Sequence, residues 1–159
     1  YTPLDPEYYL RRDFYGEYAV SGSIFAGEGW TPGGAHTILY GHNMDDGSMF
    51  AALLDYQEED FAREHSTVRF DTLEEEGEYQ VVAAFYSQAY DSQEEGAFRY
   101  YQYTDLSAPQ VFSEYVRQAK AASLYDTGVT PQPGDRLLTL STCSYHTGDG
   151  RFVVVCCRT

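Results

Sequence analysis

Long apolar stretches are missing from this chain. Its longest runs, among them Met49 to Leu54 and Val81 to Tyr86, have six residues, where a membrane-spanning helix needs roughly 18 or more. Basic residues are also few: ten Lys and Arg stand against 25 Asp and Glu, a formal charge of −15. That balance argues against nucleic acid or an anionic membrane surface as the partner. Cysteine is scarce. Three residues, two of them adjacent at Cys156 and Cys157, exclude a disulfide scaffold and leave at least one thiol unpaired. There is no internal repeat, no low-complexity linker and no signal peptide, and the first residue is Tyr1 rather than Met. The expectation is an ectodomain, processed or engineered, whose targeting segment has been removed.

What is present suits one soluble globular domain. The chain has 159 residues, 43% of them hydrophobic, 22% charged and 16% aromatic, too aromatic for a disordered segment and too short for two ordinary domains. Asp5-Pro6-Glu7 reads as a capped turn or helix start. Short strands are expected over Gly22 to Phe25, Thr37 to Tyr40, Ser66 to Phe70 and Glu78 to Tyr86. Glu74 to Gly77 reads as a charged hairpin turn. Ser48 is expected to cap a helix carrying Phe50, Leu53 and Leu54, and a second short helix covers Glu58 to Glu64.

The clearest helix opens at Ser107-Ala108-Pro109-Gln110, which has capping-box spacing, and presents Val111, Phe112, Tyr115, Val116 and Ala119 on one face. Two strands close the chain, Arg136 to Thr142 and Arg151 to Cys157. Val153 to Val155 is apolar without alternation, so both of its faces are expected to be buried. Alternation then predicts one of Cys156 and Cys157 inside and the other at the surface. The class is mostly antiparallel β, a barrel or a sandwich.

Chemistry concentrates at two strand ends. Cys143 comes at the end of the strand expected over Arg136 to Thr142, where the chain leaves for a polar loop, the place where scaffolds present reactive groups. Arg151 begins the returning strand eight residues later. A hairpin of that length brings a guanidinium near the thiol, favouring thiolate and offering donors to an oxyanion. His42 sits just past the strand ending at Tyr40, beside Gly41, and supplies a group that titrates near neutral pH. Singly, each has a bland reading: a buried small thiol, a structural histidine, a surface cation. The shared loop–strand boundary raises the combination above its parts.

These residues lie in stretches that resemble class B sortases, the cysteine transpeptidases of Gram-positive cell surfaces. "TILYGHNM", "DGSMF", "LLTLSTCSY" and "GRFVVV" carry the resemblance, with support from "EYYLRRDFYGEYAVSGSIF" and "FRYYQYTDL". It runs from about Asp5 to Val155. It implies a sortase-type closed β-barrel of about seven to eight strands, with peripheral helices and one helix between late strands. By the same resemblance, Cys143 attacks the Thr carbonyl of a sorting signal, of N-P-x-T type, to give a thioacyl-enzyme. His42 protonates the leaving amine and deprotonates the incoming one, while Arg151 orients the substrate and stabilises the oxyanion. Ser141 and Thr142 match positions lining the substrate groove, and so, less closely, does Tyr101.

The implied partners are surface proteins bearing the signal and an amine acceptor, from the peptidoglycan cross-bridge or a lysine of another pilin. The implied location is the outer face of the cytoplasmic membrane, with the full-length protein anchored at its N-terminus. No cofactor or metal is implied. Class A members use calcium at acidic loops, but Glu74 to Glu76 reads here as a solvated turn. Class B members carry an N-terminal helical segment and a first strand ahead of the matched residues. A single catalytic domain lacking both, and less stable than a version extended upstream, is therefore expected. A hydrolysing peptidase and a non-catalytic signal-binding module are the competing readings.

Overall fold

In the computed structural model, which describes residues 1–91 and 94–159, the β-forming segments assemble into one six-stranded sheet. The strands are β1 (Phe25–Ala26), β2 (His36–Tyr40), β3 (Thr67–Arg69), β4 (Glu78–Gln88), β5 (Leu137–Cys143) and β6 (Gly150–Arg158). Their order is β1-β2-β5-β6-β4-β3. The class is mostly β, as the sequence implies, with six strands rather than seven to eight. Among the described residues no ladder joins β1 to β3. All neighbours pair antiparallel except β2 and β5, which run parallel.

Among the described residues there are also two helices, α1 (Glu59–Glu64) and α2 (Pro109–Ala122), and three 3-10 segments at Tyr8–Arg11, Ala51–Gln57 and Tyr100–Gln102. The sheet is covered on both faces. Phe112, Tyr115, Val116 and Ala119 of α2 pack with Tyr100 and Leu106 over Val153, Val155 and Cys157. On the other side Leu53, Tyr56 and Ala62 cover Phe152, Val154 and Cys156. Hence Val153 to Val155 is buried throughout, and so are both cysteines, Cys156 at 0% and Cys157 at 7% exposure. The expected surface thiol is absent because β6 lies at the centre of a sheet with no solvent face.

Local boundaries differ from the sequence reading for identifiable reasons. Gly22 has φ +58°, a left-handed conformation that cannot continue a strand, so β1 begins only at Phe25. A side chain there would also run into the carbonyl of Leu10. Ser48 caps nothing: its N–H and hydroxyl both donate to Asp46 Oδ1, at 3.0 and 2.6 Å. The following helix is a 3-10 turn opening after Phe50. Ser107 does not form the capping box either. Ala108 is the N-cap, without a side-chain cap bond, and the N–H of Ser107 is taken by Asp105 Oδ1 at 2.9 Å. Val111, 39% exposed, lies off the buried face of α2.

Candidate active site

The parallel pair β2–β5 delivers two strand ends side by side. Tyr40 is in register with Ser141, so the chain leaves β2 at Gly41-His42 beside the end of β5 at Cys143. Gly41 N–H donates to Ser141 O at 3.1 Å, extending the ladder one step further. Gly41 must be glycine, since a Cβ there would meet the Phe50 ring at 2.7 Å. Thr142 Oγ1 donates to Gly41 O at 2.8 Å, and Asn43 Nδ2 donates to Cys143 O at 3.3 Å. The loop beyond folds back: Phe50 N–H donates to His42 O at 2.8 Å, and Asn43 bridges to Met49.

β5 and β6 form the hairpin that carries the thiol and the guanidinium. Cys143 and Arg151 are direct cross-strand partners. Arg151 Nη1 donates to the carbonyls of Asp149 and Gly150, at 3.3 and 3.0 Å, which holds the guanidinium base against the hairpin. In the connecting loop, Ser144 N–H donates to Gly150 O at 3.0 Å. His146 is exposed, rests 4.7 Å from the Tyr86 ring and places Nδ1 3.0 Å from Ser144 Oγ. His65 is exposed as well and stacks on the Phe61 ring at the end of α1, outside the groove.

All six residues named from the sequence meet in one groove of about 340 Å³: His42, Cys143, Arg151, Ser141, Thr142 and Tyr101. The hydroxyls of the groove residues are already engaged. Ser141 Oγ lies 2.7 Å from the phenol of Tyr100, Thr142 is spent on Gly41, and Tyr101 accepts from Tyr90 N–H at 3.2 Å. Sequence reasoning missed the contribution of the first 3-10 turn to the lining, through Glu7 just before it and Leu10 within it. It also missed Asn43 and Tyr100. Asn43 adjoins His42 in sequence, which was the available signal; nothing in the sequence singles out Tyr100.

Burial favours the uncharged form of three rings that line the groove. Burial, and then the Arg11 guanidinium, hold the His42 imidazole below its ordinary pKa. Burial pushes the Tyr100 phenol up to about 12 and drives the Tyr40 phenol higher still. The His42 ring makes no hydrogen bond among the described residues. No group of His, Cys, Asp and Glu side chains among those residues is arranged to hold a metal ion. Glu75 of the acidic turn faces Arg136 and Arg158, at 2.5 and 2.6 Å, and Glu76 faces Arg69 at 3.3 Å. No helix among the described residues is long and apolar enough to cross a membrane.

A chain with these features has known relatives. Residues 15–159 match the family model for a sortase domain. Sortase B of Listeria monocytogenes is 35% identical over 141 residues, covering 87% of this chain and 54% of that protein. The chain thus spans about half the length of this curated relative. A Staphylococcus aureus sortase B–substrate complex superposes with a TM-score of 0.83 at 30% identity, over 96% of this chain and 69% of that one. A structure of sortase B complexed with triglycine superposes with a TM-score of 0.80 at 30% identity, over 96% and 70%.

Proposed function

Since the chain belongs to the sortase family, in its class B, we propose that it is a cysteine transpeptidase that cuts a sorting signal after Thr and transfers it to an amine. The observation that carries this reading is the groove in which Cys143 is paired across the hairpin with Arg151 and shares its lining with His42. A relative was solved with substrate and another sortase B with triglycine, which supports an extended peptide and an amine as the two reactants. The signal is proposed to be of N-P-x-T type. The full-length protein is proposed to work at the outer face of the cytoplasmic membrane, anchored at its N-terminus.

The chemistry follows from the groups in place. The neutral imidazole of His42 accepts the thiol proton of Cys143, and the sulfur attacks the Thr carbonyl carbon. Negative charge moves to the carbonyl oxygen, which the guanidinium of Arg151 stabilises by hydrogen bonding. Collapse breaks the C–N bond, and the imidazolium returns its proton to the leaving amine, so a thioester and a free amine remain. An acceptor amine then attacks the thioester carbon and gives a proton to His42. The C–S bond breaks, and the thiol is restored as that proton returns to sulfur. An amine held in the groove outpaces water because its attack is effectively intramolecular.

The test is intact-protein mass spectrometry after incubation with N-P-x-T and L-P-x-T peptides, with and without a glycine or lysine amine. Cys143→Ala is the control. An adduct on the wild type alone, discharged by an amine into a joined product, is the expected result. An adduct discharged equally fast by water, with no joined product, would replace transpeptidation by hydrolysis. Peptide binding without any adduct, alongside an alkylatable Cys143, would reduce the protein to a binding module.

A further inference from the structure

In a catalytic triad a third side chain orients the imidazole, but His42 has no such partner among the described residues. Proton transfer nevertheless requires its ring to stay within hydrogen-bond reach of the reacting atoms. The peptide on either side of His42 is what is fixed. Before it, the Gly41 carbonyl accepts from Thr142 Oγ1 at 2.8 Å, and Thr142 directly precedes Cys143. After it, Asn43 Nδ2 donates at 3.3 Å to the carbonyl of Cys143 itself. His42 is therefore held between two ties to the segment bearing the thiol. Phe50 N–H on His42 O, at 2.8 Å, closes the loop from behind.

We infer that Asn43 and Thr142 are positioning residues that set the separation of the His42 imidazole from the Cys143 sulfur. This inference rests on the transpeptidase reading and deepens it. It gives Thr142 a role other than substrate contact, since its hydroxyl is already engaged. Arg11, on the first 3-10 turn, acts on the charge of His42, and Glu7, just before that turn, Glu28, Tyr40, Cys143 of β5 and Arg151 of β6 line the groove with it.

The variants are Asn43→Ala, Thr142→Val, which keeps the shape without the hydroxyl, and Thr142→Ser, which keeps the hydroxyl. Three quantities are read on the whole chain: the single-turnover rate of acyl-enzyme formation, the iodoacetamide rate of Cys143 at a pH where the thiol ionises unaided, and the NMR titration of His42. Asn43→Ala and Thr142→Val are expected to acylate about tenfold more slowly or worse, with alkylation unchanged and the His42 midpoint rising as the freed ring reaches water. Thr142→Ser is expected to restore acylation. Acylation within twofold of the wild type in both disabled variants overturns the inference, and so does a parallel fall of acylation and alkylation. If the wild type itself forms no acyl-enzyme, the transpeptidase reading fails. The tie is then judged on the titration alone, and an unmoved His42 midpoint in both variants overturns it.

Discussion

At the scale of single residues, burial first, and then a charge from outside the catalytic strands, hold down the imidazolium of His42. Arg11 lies on the first 3-10 turn, with its Nη1 fixed on Val20 O at 2.6 Å, and its positive field adds to burial in disfavouring the imidazolium. Removing that charge in Arg11→Gln relieves only the repulsion. The His42 midpoint is expected to rise, and the acidic limb of the acylation profile to move to higher pH with it. Both are readable by NMR titration and by rates across pH 5–8; an unmoved midpoint would remove Arg11 from the account. Arg151→Ala is expected to slow acylation by roughly 10²–10³-fold, the usual effect of losing an oxyanion donor. An unchanged single-turnover rate would exclude that role. The meeting of His42, Cys143 and Arg151 was legible in the sequence because each stands at a boundary between an apolar strand and a loop, His42 and Cys143 after one and Arg151 before one. Asn43 and Tyr100 were not, since their partners, Cys143 and Ser141, lie 100 and 41 residues away along the chain.

At the scale of elements, α2 docks on the sheet through a buried polar chain. Tyr115 of α2 donates to Thr139 Oγ1 at 2.7 Å, and Thr139 donates to His36 Nε2 at 2.8 Å. His36 Nδ1–H donates to Tyr103 O at 2.6 Å. These bonds fix the neutral ring, and burial pulls His36, 4% exposed, down to about 4. Its folded pKa lies below its unfolded value near 6.5, so below that pH the unfolded chain binds a proton that the folded one refuses. Stability is complete above pH 6.5 and is lost as the pH falls towards 4, by about 3 kcal/mol. Urea unfolding at pH 7, 5.5 and 4 checks this, with a flat profile as the refuting result. Thr139→Val, which leaves a phenol and an imidazole nitrogen buried without partners, is expected to cost about 1–3 kcal/mol or somewhat more at pH 7. The apolar face of α2 was readable from its period. Its cap was not, because Asp105 competes for the Ser107 N–H. Nor was the parallel β2–β5 pairing, which joins segments about 100 residues apart.

At the scale of the whole molecule, the end of the sheet opposite the groove is tied by one carboxylate. Glu75, in the β3–β4 turn, takes Arg136 at the entrance of β5 and Arg158 at the exit of β6. Those two guanidiniums, Arg136 foremost, hold its carboxyl down to about 2. Because the folded pKa is depressed, the contribution is present above the ordinary value near 4.5 and disappears as the pH falls through about 2. Glu75→Gln is expected to flatten the acid limb of the stability profile between those values while leaving acylation at pH 7 unchanged. A variant with the wild-type acid limb would show that the tie is idle. The acidic turn was legible as a turn; its arginine partners, brought from both terminal strands, were not.

The two-faced cover of β6 also bears on how the protein can be handled. Burial keeps Cys156 and Cys157 protonated, the former far above its ordinary pKa and the latter pushed up to about 11, so neither meets a dissolved electrophile while the fold is intact. Cys143, half-buried in the lining of the groove, is the one remaining thiol. A fluorescent maleimide therefore acts as a stoichiometric counter: one equivalent of dye per chain marks a folded preparation, and three mark a denatured one.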